Sequence, residues 1–267
     1  MNFPITHRKY FLFIQKQCPF NVVRRARGAA NDGTFFILRP LVQSCVQMEM
    51  ERKNGQGLQV QLFESNDFGE CTYLLFRDGG SGILIDAGFL YDEEWRHFTD
   101  FIAEHNVTLT LLLNTHGHID HVAGVAKAMS KWKLPFSMHP ADTHLLNHAP
   151  MFGGAFAKLG AIPAPTKPLE DGQKIDFEGT EIEVIHTPGH TKGGCSFYLP
   201  ASRVLFSGDT LFEGSIGRTD LGDGDYDQII SSIRTKLFTL PDDTIVLPGH
   251  GSRTTIGREK QFNPFFR

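Results

Sequence analysis

The stretch Thr115-His116-Gly117-His118-Ile119-Asp120-His121 decides how the rest of this chain is read. Three imidazoles and a carboxylate fall within it, directly after the largely apolar run Leu109–Leu113. A neutral imidazole offers a lone pair near neutral pH, which makes histidine the commonest metal ligand. The carboxylate adds the hard oxygen donor that a divalent cation shares. The plainer alternative is a solvated loop rich in histidine by chance, and only the surrounding sequence separates the two.

Outward from this stretch the same arrangement recurs. Glu181–Ile185 leads into Thr187-Pro188-Gly189-His190, Arg203–Phe206 into Ser207-Gly208-Asp209-Thr210, and Thr244–Leu247 into Pro248-Gly249-His250. Each is an apolar strand candidate, then a glycine-containing turn, then a histidine or aspartate. Ligand sites collect at strand ends on loops held by a rigid sheet, and glycine lets backbone approach an ion closely. The five histidines and two aspartates delivered this way exceed what one tetrahedral ion uses. They suit two divalent ions about 3.5–4 Å apart that share a carboxylate. The residues therefore point to a dinuclear, metal-assisted hydrolase, and their spacing leaves the partition of ligands open.

The remaining pattern is many strands with interspersed helices. Leu58–Phe63 alternates apolar and polar residues, and Tyr73–Phe76 and Ile83–Ile85 flank the turn signal Asp78-Gly79-Gly80, as in a hairpin. Asp92 is placed to cap a helix to about His105, and further helices are expected over Asp120 to Trp132 and Tyr226 to Phe238. Lys133–Met138 and Ser196–Leu199 read as strands, Asp142–His148 as a helical turn or two, and Met151–Pro168 as an irregular segment or lid.

Residues 1–50 differ in character from the rest of the chain. Residues 1–47 hold seven Lys/Arg against the single acid Asp32. That start fits an organelle transit peptide or, more plainly, upstream sequence translated from a misplaced start, with Met48 or Met50 opening the protein. Disorder or loose packing is expected there, with the folded domain over 58–267. The net charge of −4 argues against a general nucleic-acid or membrane-surface role, and no apolar run approaches the ~20 residues that span a bilayer. Cys18, Cys45, Cys71 and Cys195 form no C-x-x-C pair and read as buried free thiols of a reducing compartment, so a cytoplasmic location is expected.

The signature T-H-G-H-I-D-H, followed in order by T-P-G-H-T, S-G-D-T-L-F and L-P-G-H-G, resembles the metallo-β-lactamase superfamily over about residues 58–267. The resemblance implies an α+β fold, a four-layer αββα sandwich of two mixed sheets with the metal loops along one edge. It implies that His116, His118 and His190 hold one ion, that Asp120, His121 and His250 hold the other, and that Asp209 bridges them. Asp86, in Ile85-Asp86-Ala87-Gly88, matches an aspartate that supports the ligands from behind, with a turn carboxylate as its plainer reading. The ions implied are zinc, with iron or manganese as alternatives.

Gly214-Ser215-Ile216-Gly217-Arg218-Thr219-Asp220-Leu221 and Thr254-Thr255-Ile256-Gly257-Arg258-Glu259, then Asn263-Pro264-Phe265, narrow the resemblance to short bacterial glyoxalase II-like hydrolases. That group implies cleavage of a hydroxyacylglutathione thioester such as S-lactoylglutathione, a small-molecule partner, by a hydroxide bridging the ions, with Asp120 as the catalytic carboxylate that orients it. Aspartate at 209, where the β-lactamases carry cysteine, argues against antibiotic hydrolysis. Seventeen residues follow His250, where longer glyoxalase II enzymes carry a helical domain that helps bind glutathione. The rival enzyme is a persulfide dioxygenase, a related family holding one iron through a triad that would here be His116, His190 and Asp209. The non-enzyme rival is a scaffold with a structural metal, disfavoured because structural sites are normally closed with four ligands. Arg218 could meet an anionic substrate group, or pair with Asp220 or Asp223. Phe152 and Met151 are candidates for the pocket mouth, and His139, His144, His148 and His186 for surface, lid or supporting roles.

Overall fold

Alternation along the strands builds a layered core. The computed structural model describes residues 47–53, 56–147 and 153–267. In the first sheet, β1 (Gln47–Lys53), β2 (Gln56–Ser65), β3 (Glu70–Phe76), β4 (Ser81–Ile85), β5 (Thr108–Leu113) and β6 (Phe136–Ser137) lie in sequence order. The first four are antiparallel, and β4, β5 and β6 run parallel. The second sheet has the order β14-β13-β10-β9-β8-β7, built from β7 (Lys174–Phe177), β8 (Thr180–His186), β9 (Cys195–Leu199), β10 (Val204–Gly208), β13 (Ile245–Pro248) and β14 (Thr254–Thr255). It too is mixed, because β10 and β13 are parallel and the other pairs antiparallel. A small hairpin, β11 (Leu211–Phe212) and β12 (Ser215–Ile216), follows β10.

Successive side chains of a strand point to opposite faces. Tyr73, Leu75, Ile83 and Ile85 of the first sheet therefore meet Val184, Phe197, Leu199 and Phe206 of the second in a buried layer between the sheets. Leu74, Phe76 and Leu84 face the other way, against Phe98 and Ile102 of α1 (Asp92–Glu104) and Val125 and Ala128 of α3 (Val125–Trp132). Across the second sheet, Tyr198, Leu205 and Val246 pack on Ile229 and Ile233 of α4 (Tyr226–Thr235) and on Ile256 of α5 (Ile256–Phe262). The result is the expected αββα sandwich.

Several boundaries differ from the expectations. Tyr91, not Asp92, caps α1; Glu94 accepts the backbone N–H groups of Leu90, Tyr91 and Asn66, while Asp92 pairs with Lys127 at 2.7 Å. The single helix expected from Asp120 to Trp132 is two, α2 (Ile119–Val122) and α3, because the N–H of Gly124 turns aside to the Ala87 carbonyl at 2.7 Å. The strand expected over Lys133–Met138 shrinks to Phe136–Ser137, since Lys133 ends α3 in the left-handed region. The helix expected to reach Phe238 stops at Thr235, with one 3-10 turn, Leu237–Thr239, after it. Asp142 lies within a 3-10 segment, Pro140–Asn147. Among the described residues, regular sheet structure begins at Gln47.

Residues 1–46 of the expected extension lie outside the described residues, as do Cys18, Cys45, His148, Met151 and Phe152. Cys71 and Cys195 are buried and free. Among the described residues no helix is long and apolar enough to cross a membrane.

Phe197 is fully buried between the sheets, whereas Phe262 is half exposed. Phe197→Ala is expected to cost about 3–5 kcal/mol in urea unfolding, and Phe262→Ala less than about 0.5 kcal/mol.

Candidate metal centre

Each histidine-bearing loop starts where a strand runs out. The loop after β5 is pinned by Asp86, at the end of β4: its carboxylate accepts the Thr115 N–H and hydroxyl, both at 2.7 Å, and lies 3.1 Å from His121 Nδ1. Asn114 donates to the His121 carbonyl at 2.8 Å, closing the loop on itself. Main-chain bonds then join the loops across the two sheets. Cys195 N–H donates to the Thr115 carbonyl at 2.7 Å and Cys71 N–H to the Gly249 carbonyl at 2.8 Å. The Tyr73 hydroxyl donates to the Pro248 carbonyl at 2.8 Å. Gly249 has no room for a side chain, since a Cβ there would sit 2.2 Å from Asp209 Oδ1 and 2.8 Å from His121 Cε1.

The seven expected donors come together. Donor atoms of His116, His118 and His190 lie within 4.8 Å of one another, as do those of Asp120, His121 and His250, and those of His116, His121 and Asp209. Asp209 faces both triads, with Oδ2 3.4 Å from His190 Nε2 and Oδ1 3.5 Å from His121 Nε2. His118 Nδ1 approaches His190 Nε2 to 2.9 Å, and His250 Nε2 approaches Asp120 Oδ2 to 3.2 Å. His190 Nδ1 donates to the Arg218 carbonyl at 2.7 Å, which leaves its Nε2 lone pair aimed inward. His116 and His121 form the buried floor, while the His250 side chain is 26% exposed and marks the mouth.

This donor set fits a divalent cation. His116 Nε2 and Asp209 Oδ1 are buried polar atoms with no hydrogen-bond partner, a costly state that a cation relieves. Burial, reinforced by neighbouring imidazoles, pushes His116 well below the usual histidine range and His118 down to about 3, so both present lone pairs at neutral pH. Burial opposes charge on Asp120 and Asp209, but the His121 and His250 rings beside them outweigh it and hold both carboxyls below their ordinary range. Reciprocally, those carboxylates overcome burial and raise His121 and His250 above the ordinary imidazole value.

Two carboxylates escaped the sequence reading. Glu70, fully buried at the start of β3, places Oε1 3.8 Å from His121 Nδ1 and is pushed well up by burial. Asp142 is fully buried and accepts Gly117 N–H at 3.0 Å, the Thr191 hydroxyl at 2.8 Å and Gly193 N–H at 2.6 Å, tying the His116 loop to the His190 loop. Neither sits in a pattern that spacing could flag: Glu70 accepts the Thr72 hydroxyl at 2.7 Å within its own strand, while His121 beside it and the partners of Asp142 come from other loops. Arg218 pairs side-on with Asp220 at 2.6 and 2.8 Å, while Asp223 pairs with His144 and Lys192. His186 stacks on His139 at 4.3 Å and lies 2.9 Å from the Lys192 carbonyl.

A divalent cation held by His121 and His250 would have to displace the protons that their raised basicity favours. Affinity for zinc is therefore expected to rise with pH, by roughly tenfold per unit for each proton displaced below the raised value. Calorimetry in buffers of different ionisation enthalpy measures the protons released.

A family model described as Metallo-beta-lactamase superfamily matches residues 66–250. Hydroxyacylglutathione hydrolase GloC of Haemophilus influenzae is 35% identical over 211 residues, covering 78% of this chain and 98% of that one. Among solved structures, the B3 metallo-beta-lactamase BLEG-1 aligns with a TM-score of 0.70 at 30% identity, over 78% of this chain and 99% of that one. TTHA1623, solved in a di-iron-bound form, aligns with a TM-score of 0.61 at 32% identity, over 82% and 100%. With two mixed sheets, helices outside them and the histidine loops at their strand ends, the chain belongs to the metallo-β-lactamase superfamily and is a metallo-hydrolase of that kind.

Proposed function

We propose that the chain is a two-ion hydrolase that cleaves a thioester of the hydroxyacylglutathione type. The observation that carries this reading is the position of Asp209, one oxygen toward His190 and the other toward His121. A carboxylate so placed suits two ions, with His116, His118 and His190 holding one and Asp120, His121 and His250 the other. Divalent ions there supply an activated water and polarise the carbonyl to be attacked. Zinc is the ion proposed; the di-iron form of TTHA1623 keeps iron as the alternative. The thioester class is supported by the 35% identity to GloC and by the two glycine-arginine motifs.

The residues divide the remaining work. Asp120, ionised and 15% exposed at the mouth, would orient the attacking water. Asp86 holds His121 through Nδ1, and the Arg218 carbonyl holds His190 the same way. The departing thiolate needs little acid help, because an ordinary thiol pKa near ~8.5 makes it a good leaving group.

The zinc-loaded full chain is expected to cleave S-lactoylglutathione, and Asp209→Ala to lose at least about 100-fold in kcat/KM together with bound metal. Full activity with two ions in that variant would contradict the assignment. So would a wild-type chain holding one iron that consumes oxygen with glutathione persulfide and leaves thioesters intact.

A further inference from the structure

We infer that Glu259 is a positioning residue for the His190 side of the centre, acting through the β11–β12 hairpin and the Arg218 carbonyl; the inference rests on the two-ion reading. Glu259 lies in the first turn of α5 and is 1% exposed. Its carboxylate accepts three neutral donors, the Thr254 hydroxyl at 2.6 Å, Gly214 N–H at 2.8 Å and Asn263 Nδ2 at 2.9 Å. The nearest cationic nitrogen is Arg258 Nε, at 3.9 Å. A buried carboxylate held mainly by neutral groups is expensive, so its place calls for an explanation.

The explanation lies at the hairpin tip. Gly214 gives its N–H to Glu259, and the next carbonyl, that of Ser215, accepts from the same Asn263 nitrogen at 3.0 Å. The turn is thereby gripped by both its donor and its acceptor, 45 residues away in sequence from Glu259. From that turn β12 returns along β11, and Gly217 N–H closes on the Thr210 carbonyl at 3.3 Å. At Gly217 the backbone passes so close to the centre that a Cβ would lie 1.8 Å from the Asp209 carbonyl oxygen and 3.1 Å from His190 Cβ. The next residue, Arg218, presents the carbonyl that fixes His190 Nδ1–H. The motifs around Gly214–Leu221 and Thr254–Glu259 are thus two halves of one clamp. Its output is the tautomer and tilt of a single imidazole ring.

The donors divide between the two oxygens, Gly214 N–H and Asn263 Nδ2 meeting Oε2 and the Thr254 hydroxyl meeting Oε1. Glutamine preserves most of this: its oxygen can accept from Gly214 and Asn263, and its amide can donate to the rotatable Thr254 hydroxyl. Alanine preserves none of it. Glu259→Ala is expected to weaken zinc at the His116-His118-His190 position by about 10- to 100-fold in chelator competition, and Glu259→Gln to restore it. In metal-free protein with 15N-labelled histidine, the exchange-protected His190 Nδ1–H resonance should be lost in Glu259→Ala and return in Glu259→Gln. A merely structural Glu259 would lower the melting temperature and leave both readouts unchanged.

Wild-type zinc affinity together with an unaltered ring resonance in Glu259→Ala would overturn the inference. If that variant fails to fold, Asn263→Ala, which removes only the Ser215 and Glu259 contacts of the clamp and one helix-end cap, should give a smaller loss in the same direction. No change in either readout there would equally overturn it. A wild-type chain that binds neither zinc nor iron would defeat the two-ion reading, while the ring resonance would still decide the role of Glu259.

Discussion

Loops from two separate sheets converge on one centre because main-chain hydrogen bonds cross between the sheets. The bonds from Cys195 to the Thr115 carbonyl and from Cys71 to the Gly249 carbonyl set the distance between strand ends before any side-chain donor is considered. Such bonds are indifferent to side-chain identity, so the imidazoles hang from a frame that does not itself depend on metal. The buried acids extend the same logic. Asp142 and Glu259 each spend a carboxylate on backbone N–H groups of the loops rather than on a counter-ion. Charge-assisted bonds of this kind are about twice as strong as neutral ones, and here they restrain segments that have no regular structure of their own.

That frame gives chemically identical rings opposite tendencies. The centroids of His116 and His121 lie 4.1 Å apart, yet burial keeps the first neutral while the carboxylates around the second favour its charged form. The difference comes from which nitrogen meets which neighbour. His121 has Asp86 at Nδ1 and Asp209 on its other side, whereas His116 Nδ1 meets only the Thr115 hydroxyl. A centre tuned this way favours protons at one end and offers ready lone pairs at the other.

Much of this was legible in the sequence, for identifiable reasons. The histidine loop is legible because four donors are packed into one short stretch, and the strand–glycine–donor repeats because sheet ends expose them. The β3–β4 hairpin follows from two short apolar runs flanking an Asp-Gly-Gly turn, although both strands begin earlier, at Glu70 and Ser81. What escaped was set by tertiary contact. The break at Gly124 depends on a carbonyl at Ala87, and the shift of the α1 cap on Glu94 reaching Asn66. The strand Lys174–Phe177 is a four-residue edge strand with two residues exposed, so only Ile175 and Phe177 carry a hydrophobic signal. Glu70 and Asp142 are isolated acids in sequence, and their burial exists only once distant loops have closed over them.

The order in which the donors occur along the chain bears on how the protein comes to be made. Contacts across the centre join residues far apart, 72 positions for His118 with His190 and 129 for His121 with His250. Long-range closures of this kind form late, because the entropy of closing the loop precedes any reward. On a ribosome, the three-histidine cluster is encoded once His190 has been added, whereas the second cluster waits for His250, 60 residues later. A nascent chain therefore passes through a stage in which one cluster has all its residues and the other lacks its last. A chain truncated before β13 would carry the residues of the first cluster without His250 of the second.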